Sequence, residues 1–165
     1  MSPLLDSAAT WFLDSATHER DGSFVVCLTE GIKGDEREFV EHDGESLGPY
    51  FPVDVQPASR CVVVRFPEAR ATFSLDETFD GTDPDFERGV GQFLFTASDS
   101  AFRRFVLART TLTITDEGEE EDAPREYFLR TEDRLFQVAS GPPDVQLLDA
   151  APDLEVHRTQ TWFAH

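Results

Sequence analysis

The tract RCVVVRFPEARATFSLDETF, residues 60–79, alternates side-chain character with a period of two on both sides of a Pro-Glu break. Successive strand residues point to opposite faces, so Val62, Val64 and Phe66 share one face and Cys61, Val63 and Arg65 the other. Apolar residues on both faces mark a central strand. Beyond the break, Ala71, Phe73, Leu75, Glu77 and Phe79 point one way, and Arg70, Thr72, Ser74, Asp76 and Thr78 the other, as in a long strand with one wet face.

Further strands are expected around this pair. Residues 23–30, SFVVCLTE, are apolar enough for burial on both faces and follow an Asp21-Gly22 turn. Residues 36–42 read as a more polar strand, and the Gly- and Pro-rich stretch DGESLGPYFP as a connection. GQFLFTAS, TTLTIT (with Leu112 and Ile114 inward), REYFLRTED and RLFQVASG follow, the last two around a turn near residues 131–133. Pro142 and Pro143 end that section, and VQLLD and LEVHRTQTWF complete the series.

One helix stands out, at about residues 99–108. Ser98 or Asp99 supplies its N-cap, and Phe102, Phe105, Val106 and Arg109 fall at i, i+3, i+4 and i+7, an apolar stripe ending in a cation. Leu4, Leu5, Ala8, Ala9 and Phe12 recur at three and four residues, the spacing of a short N-terminal helix over residues 2–12. The expected fold class is α+β: a mainly antiparallel sheet with one amphipathic helix packed on its inner face. At 165 residues, with 15 Phe to fill a core and no internal repeat, the chain reads as a single domain over residues 1–165.

Charge narrows the function classes. The chain carries 33 acidic residues against 14 Lys and Arg, a formal net charge of -19, which argues against a nucleic-acid or anionic-membrane surface and suits a basic partner. Lys33 is the one lysine; the other cations are Arg, the donor type that binds carboxylates bidentately. The plainer explanation of the acidity is a proteome-wide bias toward Asp and Glu. The first fifteen residues hold no basic n-region and no long apolar stretch, so a cytoplasmic location is expected.

Catalytic signatures are missing from the sequence. His18, His42, His157 and His165 show no metal-ligand spacing, and no metal or other cofactor is expected. Neither Ser59 nor Ser140 lies in a nucleophile motif, and Cys27 and Cys61 sit in apolar runs that predict buried free thiols. Gly89 and Gly91 in RGVGQF mark a turn, not a dinucleotide fingerprint. Asp80, Asp83 and Asp85 have a calcium-like spacing without the glycine and terminal glutamate of an EF-hand loop. Glu77, on an apolar face, calls for a cationic partner. Trp11, Phe12, Tyr50, Phe51, Trp162 and Phe163 are packing residues first and an aromatic contact patch second.

The one concentrated charge feature is Asp116, Glu117, Glu119, Glu120, Glu121 and Asp122. Lying between strand candidates at 110–115 and 125–130, this run reads as the tip of a hairpin, where like charges are tolerated, and is the candidate partner-binding surface.

From residue 59 to 148, the strand RCVVVRFPEARATFSLDETF, the strand GQFLFTAS, the helix DSAFRRFVLA and REYFLRTEDRLFQVAS follow one another in a layout that resembles a loose group of small bacterial proteins, some of them immunity- or antitoxin-type. The resemblance implies a non-enzymatic acidic protein that neutralises a basic toxin or effector; it carries over no site residues. Two alternatives fit the same sequence: a small-molecule-binding or enzymatic β-rich domain with a pocket in a curved sheet, or a subunit of a larger assembly.

Overall fold

A computed structural model of the chain describes residues 2–42, 44–76, 87–116, 123–157 and 162–164. Within them a 3-10 turn, Leu5–Ser7, precedes β1 (Thr10–His18), β2 (Phe24–Lys33), β3 (Glu38–His42), β4 (Glu45–Asp54), β5 (Cys61–Phe66), β6 (Ala71–Asp76), β7 (Glu87–Arg88) and β8 (Leu94–Ser98). Then come α1 (Ala101–Arg109), β9 (Arg125–Arg130), β10 (Arg134–Ser140), β11 (Asp144–Leu148) and β12 (Trp162–Ala164). The described pairings are antiparallel and build two sheets, β11-β5-β2-β4-β12, with β1 on β2 and β3 on β4, and β6-β10-β9-β8-β7.

The two sheets bury one shared core. Register places Phe24 beside Phe66, Val26 beside Val64 and Leu28 beside Val62 on the first sheet, and Val138 beside Tyr127 and Phe136 beside Leu129 on the second. These ten side chains form one buried cluster, joined by Leu5 and Trp11. Phe24 bridges the layers, with ring centroids 6.1 Å from Phe66 and 5.6 Å from Phe136. Each such side chain, taken fully out of water, stabilises the fold by about 1.5–3 kcal/mol before entropy is counted. The mainly antiparallel α+β fold expected from the alternation is the fold observed, and β5 lies inside its sheet between β11 and β2.

The helix sits elsewhere than expected. Instead of filling the inner face it covers the outer face of the second sheet, where Val106 packs with Ile114 and Ala139, and Phe102 with Phe73 at 6.5 Å between centroids. It starts at Ala101, one residue after an N-cap that is Ser100, not Ser98 or Asp99. Asp99, with φ of 56°, turns the chain into that cap.

Three other segments differ. The N-terminal helix is only the Leu5–Ser7 turn, and Trp11 and Phe12 belong to β1. A register shift between Leu13 and Ser15 breaks the two-residue alternation of β1, which hid the strand. DGESLGPYFP is not a connection, because β4 runs through it: Pro49 falls at an irregularity where Glu38 pairs with Tyr50 and Val40 with Leu47, so its missing N–H breaks no ladder bond. TTLTIT is not a strand, although Ile114 is buried and Leu112 half-buried as its alternation required. Thr110 Oγ1 donates to Val106 O and accepts from Leu112 N, so a side chain takes up backbone groups that a ladder would otherwise use.

Candidate functional site

Two places in the fold concentrate groups that the core does not use. The first is the β3–β4 hairpin, an arm that joins the body where Ile32 and Lys33 of β2 pair with Asp54 and Val53, and where β12 lies along 51–53. Residues 35–45 hold six acidic residues against one Arg. Within this acidic frame Phe39 is 64% exposed and Leu47 40% exposed, large apolar side chains that the fold leaves in water. Lys33 and Arg37, the nearby cations in sequence, lie over the Phe51 ring at 4.1 and 4.8 Å, so they cluster on one aromatic side chain.

The second place is a cavity of about 390 Å³ at the β7-β8-β9 end of the second sheet. Arg88, Ser98, Thr115, Asp116 and Arg125 border it, with Glu126 beside them. Glu126 is 1% exposed; it accepts from Ser100 Oγ at 2.7 and 2.8 Å and from Gln137 Nε2 at 3.3 Å. Asp116 is ion-paired with Arg103 of α1. In contrast, Arg125 Nε and Thr115 Oγ1 are buried and have no hydrogen-bond partner among the described residues. Arg88, the other arginine on the rim, donates to the carbonyls of Gly91 and Gln92 at 2.7 and 2.9 Å.

Of the candidate partner-binding run, Asp116 alone is described, on the cavity rim; Glu117, Glu119, Glu120, Glu121 and Asp122 lie outside the described residues. On either side of them Thr115 N donates to Pro124 O at 3.0 Å. Glu77 and the calcium-like Asp80, Asp83 and Asp85 also lie outside the described residues, as does His165.

A partly buried polar chain was not foreseen. His157 Nε2 is 2.5 Å from Asp14 Oδ1, Asp14 Oδ2 accepts from Thr29 Oγ1 at 2.7 Å, and Thr29 Oγ1 lies 3.6 Å from Cys61 Sγ. Cys, Thr, Asp and His in contact resemble a nucleophile relay. Yet Cys61, Thr29 and His157 are all buried, and none of them borders the end cavity, so burial among apolar neighbours favours the inert thiol. The chain instead fixes the turn at His157 to β1. Nothing local in the sequence marks it, because Asp14 and His157 are 143 residues apart. Cys27 and Cys61 are free thiols, His18 is within 3.0 Å of Thr72 Oγ1, and Trp11 and Phe12 are core residues.

Three carboxyl groups are shifted from their ordinary range, and hydrogen bonds from the Ser23 hydroxyl and amide hold the first, Asp21, low. Side-chain hydrogen bonds from Arg60 hold Glu30 low, with Arg60 Nε at 2.6 Å and Nη2 at 2.7 Å. Burial pushes Asp133 up, against the opposing hydrogen bond from Leu13 N at 2.7 Å. Among the described residues no group of three His, Cys, Asp or Glu is placed to hold a metal ion, and no helix is long and apolar enough to cross a membrane.

The architecture defines a two-sheet antiparallel α+β protein with an acidic arm and a polar end cavity. No protein-family model, curated protein or solved structure matches the chain.

Proposed function

We propose that the chain is a non-enzymatic binding protein for a basic partner, an inhibitor of the kind that its resemblance to immunity- and antitoxin-type proteins implies. One observation carries this reading: the exposed Phe39 and Leu47 stand within the acidic frame of the β3–β4 arm. Long-range attraction between a chain of net charge -19 and a cationic surface speeds encounter, while apolar anchors desolvated on contact supply the lasting affinity. The arm supplies both parts on one hairpin.

Capture of the tagged chain from cells of its source at low ionic strength, followed by titration with the recovered protein, tests the reading. The expected partner is basic, its affinity falls steeply with salt, and Phe39→Ala weakens it about tenfold or more, the loss of one anchor. An acidic partner, or binding indifferent to both salt and Phe39→Ala, overturns the proposal.

A further inference from the structure

Arg125 is out of keeping with the other arginines of the described chain. The half-buried Arg60, Arg103 and Arg134 each face a carboxylate, Glu30, Asp116 and Asp76 respectively. Arg20, Arg37, Arg88, Arg109 and Arg130 are exposed, where water solvates the guanidinium. Arg125 is half-buried, and its Nε is sealed from solvent with no acceptor among the described residues. Among the described residues no carboxylate pairs with it, and its place on the wall of a cavity suits an acceptor that enters from outside.

The surroundings say what kind. Thr115 Oγ1, also buried and without a partner among the described residues, borders the same 390 Å³ cavity, and Arg88 adds a second guanidinium that donates to the neutral carbonyls of Gly91 and Gln92. A guanidinium presents a planar fork that matches the two oxygens of a carboxylate or a phosphate. Glu126 and Asp116 on the wall place negative charge beside the site, which disfavours a multiply charged phosphate and leaves a singly charged carboxylate as the better fit.

We propose that this cavity binds a small organic carboxylate, held on the Arg125 guanidinium with the Thr115 hydroxyl as a second donor. Its polar rim of Ser98, Thr96 and Arg88 suits a short hydroxy or keto acid over a long apolar chain. The site is separate from the β3–β4 arm and stands or falls without it.

The test is titration of the intact chain with lactate, pyruvate and acetate, and with inorganic phosphate, followed by calorimetry and by the ¹⁵N shift of Arg125 Nε. Saturable binding of at least one carboxylate that moves the Arg125 Nε resonance is expected. Arg125→Gln raises its Kd about tenfold or more, through loss of a charge-assisted pair, and Thr115→Val weakens binding less. A folded Arg125→Gln protein that binds equally well overturns the assignment. So do phosphate binding tighter than every carboxylate, and an Arg125 Nε resonance that no carboxylate moves.

Discussion

Ser100 ties the start of the helix to the middle of a sheet: its hydroxyl accepts from Arg103 N at 2.9 Å and lies 2.7 Å from the buried carboxylate of Glu126. One side chain thus satisfies a free amide of the first helical turn and a carboxylate that water does not reach. Ser100→Ala removes both bonds at once. We expect a loss of about 2–4 kcal/mol, a cap plus a buried acceptor left short of a donor. Ser100→Thr, which keeps the hydroxyl, costs less. Urea denaturation of the two variants checks the order.

Two phenylalanines separate stability from recognition. Phe66 is fully buried between the sheets, and Phe66→Ala destabilises by about 3–5 kcal/mol through lost burial and the cavity left behind. Phe39, largely exposed, contributes little to the core, so Phe39→Ala changes the unfolding free energy by no more than about 0.5 kcal/mol. Parallel chemical melts distinguish the two.

At Gly31 of β2, side chains from β1 and β4 crowd the backbone. A Cβ placed there meets Thr10 Cγ2 at 2.6 Å, Phe12 Cε2 at 2.7 Å and Val53 Cγ1 at 2.8 Å. Gly31→Ala is therefore expected to cost about 1–3 kcal/mol from overpacking, despite the usual gain of replacing glycine. A rise in the thermal midpoint contradicts this packing.

Acid acts on two carboxyls with opposite sign. The folded-state pKa of Glu30 is depressed by Arg60, so its contribution is present above the unfolded value of 4.5 and is lost as pH falls through the lower folded value. Asp133 is raised by burial, so its contribution is full below 3.8 and is lost as pH rises through the higher folded value. Glu30→Gln should flatten the acid loss of stability, whereas Asp133→Asn should gain on the wild type as pH rises from 3 toward neutrality. Midpoints measured across this range test both signs.

Much of the sandwich was legible in residues 61–66 and 125–140, because alternation states directly which side chains face the core. What escaped has physical causes. A register shift disguised β1, Pro49 disguised β4, and the outward place of α1 depends on Ala71 and Ala139 leaving room against the sheet, a matter of contact and not of period. The Arg125 cavity was equally hidden, since an Nε without an acceptor among the described residues is defined by what fails to approach it in space.

The arm as the contact surface for a basic protein is tested most directly by a photoreactive phenylalanine analogue at position 39, irradiated in cells of the source. The predicted result is a covalent adduct with a basic protein, its yield falling as salt is raised in extracts, and no such adduct from position 19 in the β1–β2 turn. Adducts with acidic proteins, equal yields from both positions, or no adduct at position 39 would contradict the account.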